Sequence, residues 1–411
     1  MKIFFSICAL SVTLVALAAV EVPPENQKKV FCVHGKWSAY RKGDGHFGIE
    51  QINPLLCTHL VYTFFGIDAN GEMVIRDPWL DLEENDGQGN LRKLIRLREI
   101  NPDLRILASV GGWIEGSDNF SEVSHDGEKR KAFVRSSINF LEKYRFDGLD
   151  LDWEYPGRRE GSKMSDKEAF TKLVKDLHDA FKSKGLLLTA MVASEQHNAA
   201  ISYDIPQISK YLDFIKLKTY ELHGFWSPNI GHNSPLYGKS WEKNVDRFLN
   251  IHSGVRYWLE SGAPAEKIIV GVPLYGRGFK MVNEEDNVIG SPHLGPSDPA
   301  LHTNDAGFIG FNELCEKQLT EQWEEHWDDE QLVPYTTRGD QWIGYDNEES
   351  LRIKANYVRR YKLGGIMVGN IENDDYLGIC GKGLFPLLRE INRALEDKSS
   401  DQVIKSNKTC P

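Results

Sequence analysis

Acidic and apolar residues alternate in the run FDGLDLDWEYP at residues 146–156. Side chains of an extended strand alternate between two faces, so Asp150, Asp152 and Glu154 should project into one space. Repulsion among three adjacent carboxylates should raise the pKa of at least one of them, so that a proton stays bound near neutral pH. A general acid needs such a proton, and the run therefore predicts an acid–base site.

The same acidic run has two other interpretations, a solvated strand edge and a metal site. Leu149, Leu151 and Trp153 would share the opposite face, which favours a strand covered by another layer of structure. The sequence has no cysteine pair of the metal-binding type. We therefore expect neither a metal nor a cofactor.

Short β-branched or aromatic runs alternate with longer amphipathic ones along the chain. This pattern predicts a parallel sheet, and eight strands are the number that closes a (β/α)8 TIM barrel. Chemistry in such barrels takes place where the strands end, and the acidic run ends at Glu154. The predicted strands are residues 30–33, 59–65, 104–110, 148–153, 186–192, 214–220, 268–274 and 365–368, and the clearest predicted helices are 90–100, 129–144, 166–183 and 241–261.

The connection between the seventh and eighth predicted strands, about residues 280–346, is too long and irregular for a crossover helix. We interpret it as a small α+β insertion in a barrel domain of residues 21–395, followed by a short tail, 396–411. The chain has 411 residues, 41% of them hydrophobic, so it can bury a large core. A net charge of −11 gives no general attraction to nucleic acid or to acidic membranes.

The first twenty residues resemble a secretory signal peptide, with Lys2, an apolar run at 3–15 and a small-residue cleavage site at 16–18. An uncleaved membrane anchor is the alternative. No later segment could span a bilayer, so we expect a secreted, extracellular protein. In that compartment the sequons at Asn119 and Asn407 become candidate glycosylation sites.

The cysteine count also indicates an oxidising compartment. With Cys8 removed, an odd number remains, which requires one free or intermolecular thiol. We expect sequence neighbours to pair and the last cysteine to be left over: Cys32 with Cys57, Cys315 with Cys380, and Cys410 alone.

Three motifs resemble those of the glycoside hydrolase family 18 chitinases and chitinase-like proteins: SVGGW at 109–113, the acidic run at 146–156 and GVPLYGR at 271–277. Their order and spacing are highly specific, and the resemblance covers nearly the whole mature chain. The cysteine pairs and the insertion are similar to the family's as well. Among its branches the chain most resembles the secreted insect chitinase-like proteins, in particular the bacteria-responsive proteins of mosquitoes.

The resemblance implies retaining hydrolysis of β-1,4-linked N-acetylglucosamine polymers, with the substrate's own acetamido group as nucleophile. Glu154 would be the general acid and base, and Asp152 would orient the acetamido nitrogen. Asp150 would set the charge of Asp152, Asp147 would complete the acidic motif, and Tyr220 would donate a hydrogen bond to the acetamido oxygen. The implied sugar-binding residues are Trp37, Phe64, Trp113, Trp226 and Arg277.

Two segments depart from the family pattern. KTYE at 218–221 replaces Met-x-Tyr-Asp, so that Lys218 and Glu221 are unusual, and Gly369 stands where a tryptophan normally forms the floor of the sugar site. Strand parity places Lys218 inside the barrel mouth with Tyr220, and Lys216 on the same face one layer deeper. The alternative is that both lysines snorkel outward between the helices.

We expect Lys218 to pair with Asp150 or Asp152, because a buried ammonium group needs a partner. It should keep Glu154 charged and oppose the positive charge of the transition state. At about 5 Å and an effective dielectric constant of about 20, this repulsion is about 3 kcal/mol, or about a hundredfold in rate. Loss of the tryptophan removes substrate contact at the sugar that must be distorted, unless Trp342 or Tyr345 refills the space.

The sequence therefore predicts a secreted chitinase-like protein that is catalytically inactive. It would act as a lectin for N-acetylglucosamine-containing glycans or as an immune or host-interaction effector. The alternatives are a weak but active chitinase and a signalling protein that is indifferent to sugar. The expected partners are chitin-type oligosaccharides and an unidentified protein receptor.

Overall fold

The computed structural model describes residues 28–285 and 288–397. Eight parallel strands form a closed barrel, because the first strand pairs with both the second and the eighth. This confirms the predicted (β/α)8 fold with its α+β insertion. In chain order the barrel strands are Lys29–Gly35, His59–Ile67, Arg105–Gly111, Gly148–Asp152, Leu187–Ala193, Phe214–Lys218, Ile268–Pro273 and Gly365–Gly369. A further strand of two residues, Met73–Val74, pairs antiparallel with the second barrel strand.

The outer face of the barrel strands packs against the helices, and the inner face lines the barrel interior. In the fourth strand, Leu149 and Leu151 belong to the large core between barrel and helices. Asp150 and Asp152 alternate with them and are equally buried, so they face the barrel interior. Trp153 stacks on Phe120 with ring centroids 5.3 Å apart. The period-two pattern of the acidic run thus reflects one covered apolar face and one acidic interior face.

The helices surround the barrel and agree with most of the predicted segments. Helix 241–261 was predicted too long: the structure has a 3-10 turn, Asp246–Phe248, and a shorter helix, Ile251–Glu260, capped by the Asn250 side chain. Trp241 is half exposed, so the apolar pattern upstream of Asn250 does not mark a buried face. The α-helices are Pro78–Asp81, Asn90–Arg96, Asp118–His125, Gly127–Tyr144, Asp166–Lys182, Gln196–Ser202, Ile205–Tyr211, Ile251–Glu260, Phe311–Thr320, Glu348–Arg360 and Pro386–Glu396.

The insertion carries an antiparallel sheet and the helix Phe311–Thr320. Its first strand begins at Tyr275, earlier than the residue 280 expected, because it follows almost directly on the seventh barrel strand. Its strands are Tyr275–Met281, His293–Pro296, Phe308–Gly310, Glu324–Asp328, Val333–Arg338 and Gln341–Gly344. The disulfides join Cys32 to Cys57 and Cys315 to Cys380, as expected, and the second ties the insertion to the segment after the eighth barrel strand.

Several sequence predictions fall outside the described residues: the signal peptide, Cys410 and the sequon at Asn407. The other sequon, at Asn119, lies in the helix Asp118–His125, where its amide nitrogen donates a hydrogen bond to the Ile67 carbonyl oxygen at 2.8 Å. A glycan on Asn119 would have to replace that bond. Within residues 28–285 and 288–397, no helix has both the length and the apolar character needed to cross a bilayer.

Candidate functional site

The acidic residues of the fourth strand lie at two levels of the barrel interior. Asp150 is the deeper and is fully hydrogen-bonded: Ser109 Oγ and Lys216 Nζ donate to Oδ2 at 2.8 and 2.7 Å, and Thr189 Oγ1 donates to Oδ1 at 2.6 Å. The Lys216 and Asp150 side chains are each only 1% exposed. Asp150 is therefore a carboxylate paired with an ammonium group inside the barrel.

Asp152 lies one layer higher and differs from both of its acidic neighbours. Its side chain is buried, and neither carboxyl oxygen has a hydrogen-bond partner in the structure. Burial, and next the charge of Glu154, raise the pKa of Asp152 well above its ordinary value, although Lys218 opposes the shift. Asp152 is therefore the carboxyl of the acidic run for which burial most favours the protonated form.

Lys218 faces the mouth but does not pair with Asp150 or Asp152, as the sequence had led us to expect. Its Nζ lies 2.7 Å from Glu154 Oε2 and 3.0 Å from Glu221 Oε2. Asp150 is already paired with Lys216. Glu154 lies two residues beyond the end of the fourth strand, where the Lys218 side chain contacts it. The outward snorkelling of both lysines is excluded by these contacts.

Lys218 is charged despite its burial. Desolvation alone would lower the pKa of Lys218, but the charges of Glu154 and then Glu221 outweigh it and raise the pKa well above its ordinary value. An ammonium group therefore donates permanently to the residue that would have to act as the general acid. Glu154 Oε2 thus accepts a charge-assisted hydrogen bond from Lys218 Nζ at 2.7 Å.

Glu221 extends the ion pair outward to Arg277, whose guanidinium donates to Glu221 Oε1. Burial opposes ionisation of Glu221, but Lys218 and Arg277 outweigh it and lower its pKa from 4.5 to about 2. Arg277 also lies over the Trp226 ring, 5.0 Å from its centroid. Consecutive ion pairs thus connect Glu154 through Lys218 and Glu221 to Arg277, which contacts the exposed Trp226 ring.

Replacing Glu221 with glutamine should remove a pH-dependent part of the stability. Because the folded-state pKa lies below the unfolded value, the carboxylate stabilises the fold above about pH 4.5 and loses this contribution as the pH falls toward about 2. The unfolding free energies of wild type and Glu221→Gln should differ by up to about 3 kcal/mol at neutral pH and converge on acidification. Thermal unfolding from neutral to acidic pH measures this, and a constant difference would contradict it.

Gly369 has no side chain to form the floor of the expected sugar site, and the Tyr220 ring lies next to it instead. A Cβ atom built on Gly369 would lie 3.0 Å from the Tyr220 hydroxyl oxygen and 3.2 Å from Cζ, so any side chain there must move this ring. The Tyr220 hydroxyl has only Met191 Sδ, at 3.6 Å, as an acceptor. Trp342 and Tyr345 do not refill the space: both are buried in or next to the insertion sheet.

The aromatic residues expected to bind sugar have exposed faces. Trp37 is nearly half exposed and lies beside Phe64 with ring planes 18° apart and centroids 6.1 Å apart. Trp113 is 59% exposed, and the Arg159 guanidinium stacks on its ring at 3.8 Å. Trp226 is half exposed next to Arg277. These residues can present apolar faces to sugar rings without rearrangement.

A second exposed aromatic pair was not predicted from the sequence, and one acidic residue of the motif lies far from its predicted place. Tyr40 and Trp79, both about half exposed, stack with centroids 6.2 Å apart, and Tyr40 donates to Asp77 Oδ2 at 2.6 Å. The three-residue spacing of Trp37 and Tyr40 could have indicated that both rings lie on one side of the same 3-10 turn. Asp147 lies at the opposite end of the barrel, where it accepts from the Ile106 N–H at 2.7 Å and from Arg98, so it cannot act at the mouth.

Comparison with known proteins identifies this barrel. The profile of Glycosyl hydrolases family 18 matches residues 29–374, most of the chain. The chain belongs to glycosyl hydrolase family 18. An endochitinase of Manduca sexta is 37% identical over 381 residues, which cover 90% of this chain and 68% of the relative.

Solved structures of family 18 members include both enzymes and a protein described as inactive. The group IV chitinase of Ostrinia furnacalis superposes with a TM-score of 0.87 at 41% identity, over 90% of this chain and 100% of the other. Human YKL-39, described as a pseudo-chitinase with retained chitooligosaccharide binding properties, superposes with a TM-score of 0.83 at 32% identity, over 90% and 100%. Family membership alone therefore does not decide between catalysis and binding.

Proposed function

We propose that this family 18 protein is a secreted lectin for N-acetylglucosamine oligosaccharides that does not hydrolyse them. The observation that carries the proposal is the Lys218 ammonium group between Glu154 and Glu221. The two disulfides and the signal-like N-terminal sequence support secretion. We also propose that the chain belongs with the insect bacteria-responsive proteins, acting in immunity or host interaction.

Hydrolysis of this type needs a proton on the residue next to the scissile oxygen. Glu154 instead accepts a hydrogen bond from Lys218, and Asp152 is the neighbouring carboxyl whose pKa burial raises. During catalysis Asp152 would also have to exchange its proton with a neighbour, yet Asp150 already accepts three hydrogen bonds, one from Lys216. Lys216 and Lys218 thus form ion pairs with the carboxylates on either side of Asp152, which supports loss of turnover.

Sugar binding makes fewer demands than hydrolysis. The exposed rings of Trp37, Trp113 and Trp226 can stack on sugar faces whatever the charge of Glu154. YKL-39, the relative described as a pseudo-chitinase, is also described as retaining chitooligosaccharide binding. Binding without turnover is the function that this combination favours.

Titration with tetra-N-acetylchitotetraose should release heat and quench tryptophan fluorescence, while the sugar is recovered intact. Trp37→Ala should weaken binding at least about tenfold, since an aromatic stack contributes about 1 kcal/mol or more beyond its buried area. Trp327→Ala, on the edge strand of the insertion, is the matched control and should leave affinity unchanged. Absence of binding at millimolar sugar would leave a sugar-independent role.

Glu154 itself favours a weak chitinase as the second candidate, because the acid is still present at the mouth. The same sugar decides between the two functions. Turnover within a few hundredfold of the Ostrinia furnacalis enzyme would replace the lectin proposal with this one.

A further inference from the structure

Trp113 lies on a short turn that does little to hold its ring. The 3-10 helix Trp113–Glu115 stands between Gly112 and Gly116, whose φ angles of 83° and 74° lie in the left-handed region that favours glycine. The next side chain, Ile114, is 98% exposed, so it adds no packing to the turn. The orientation of the Trp113 ring therefore depends on a contact from another element.

Arg159, in the loop after the fourth strand, supplies that contact. Its guanidinium lies over the Trp113 ring, 3.8 Å from the centroid. The Nη1 atom of the same group donates to the Trp113 carbonyl oxygen at 2.6 Å and to the Glu154 carbonyl oxygen at 3.2 Å. One planar group thus joins both the ring and the backbone of Trp113 to the segment that carries Glu154.

The loop holds the backbone of Arg159 in place. The Arg159 N–H donates to Ser162 Oγ at 3.0 Å, and the Arg159 carbonyl oxygen accepts from the Ser162 N–H at 3.0 Å. Gly161, inside this turn, lies so close to Asp118 that a Cβ atom built on it would be 2.4 Å from Oδ1. The turn is therefore seated against the start of the helix Asp118–His125, and the Arg159 side chain extends from a fixed position.

We propose that Arg159 is a positioning residue for sugar binding, which covers one face of the Trp113 ring and presents the opposite face to a sugar. This inference rests on the proposed lectin function and names a residue on which its affinity depends. Trp113 keeps 59% of its surface exposed despite the stack, so the uncovered face is open to a ligand. A ring that is already immobilised loses less conformational entropy when a sugar stacks on it.

Arg159→Ala should weaken the binding of tetra-N-acetylchitotetraose about fivefold in calorimetry, because the released ring must then be ordered by the sugar. Arg159→Lys keeps the charge but loses the planar group, so it should weaken binding to a similar extent. Arg158→Ala is the matched control: it removes the same charge from the neighbouring residue, an exposed side chain whose Nη1 lies 3.5 Å from His197 Nε2. It should leave the affinity unchanged.

A double-mutant cycle separates positioning of this ring from a general effect on the mouth. In a Trp113→Ala background the ring is gone, and adding Arg159→Ala should weaken binding no further. In a Trp226→Ala background the Trp113 ring is still present, and adding Arg159→Ala should again weaken binding about fivefold. A general distortion of the mouth would act alike in both backgrounds.

The failure of this inference differs from the failure of the lectin proposal. If the wild type does not bind the sugar, the lectin proposal falls and this inference falls with it. If the wild type binds, but Arg159→Ala leaves the affinity unchanged or weakens it equally in both backgrounds, only the role of Arg159 is overturned. Tighter binding by Arg159→Ala would also overturn it, since the guanidinium would then compete with the sugar for the ring. An equal loss in Arg158→Ala, or wild-type affinity in Arg159→Lys, would overturn it because the effect would be one of charge.

Discussion

Replacing Lys218 with methionine should raise the rate of chito-oligosaccharide hydrolysis about a hundredfold. The change removes the ammonium group 2.7 Å from Glu154 Oε2, which leaves this oxygen free to contact the substrate's glycosidic oxygen. It also removes a positive charge that opposes the cationic transition state. The substitution should cost less stability than Lys216→Met, because the Lys218 and Glu221 side chains are 12% and 24% exposed whereas Lys216 and Asp150 are each 1% exposed.

A fluorogenic chito-oligosaccharide measures the gain. The control is Glu154→Gln in the Lys218→Met background, which should abolish whatever activity appears and so rule out a contaminating enzyme. Gly369→Trp should add nothing by itself, because Tyr220 stands 3.0 Å from the position of the new Cβ. If Lys218→Met does not raise the rate, the cause of low hydrolysis must be the deeper Lys216–Asp150 pair or the absence of a tryptophan at Gly369.

Replacing Lys216 with methionine should destabilise the protein by about 3–5 kcal/mol, the largest change in stability that we expect from one substitution at this site. Lys216 and Asp150 are both almost completely buried, so removal of the ammonium group leaves a carboxylate without its counter-charge. Ser109 and Thr189 still donate hydrogen bonds to Asp150 but cannot neutralise it. Thermal and denaturant unfolding measure the loss.

Two controls separate the buried charge from the loss of a side chain. Lys216→Met with Asp150→Asn removes both charges and should recover most of the stability. Lys175→Met makes the same substitution in an exposed pair with Asp179 and should cost less than about 1 kcal/mol. If Lys216→Met costs no more than Lys175→Met, the buried pair does not stabilise the fold.

The barrel could be predicted from the sequence because its strands are short, apolar and separated by helices, and because the acidic run alternates strictly. The bounds of the helix predicted at 241–261 could not be obtained from the sequence, because an apolar pattern does not reveal which residues face solvent. Trp241 and Val245 fit the period yet are exposed, and the helix begins only where Asn250 caps it.

The site was predicted with the right faces but the wrong partners. The alternation of side chains along the strand correctly predicted that Lys216 and Lys218 face the barrel interior. It does not predict how far along the barrel axis each lysine lies relative to the carboxylates of the fourth strand, and this position determines which carboxylate each lysine contacts. Lys216 meets Asp150 across the barrel, and Lys218 meets Glu154 beyond its strand. The stack of Tyr40 on Trp79 was missed because these residues lie in two short helical segments, Lys36–Tyr40 and Pro78–Asp81, that are far apart in the sequence.

The deeper of the two pairs bears on how such a protein could change over time. A lineage can gain or lose Lys218 more readily than Lys216, because Lys218 and its second partner Glu221 keep 12% and 24% of their side chains exposed. Lys216 and Asp150 are different: either substitution alone isolates a charge in the barrel interior. The two positions must therefore change together for the fold to stay stable, so the interior pair resists replacement one residue at a time.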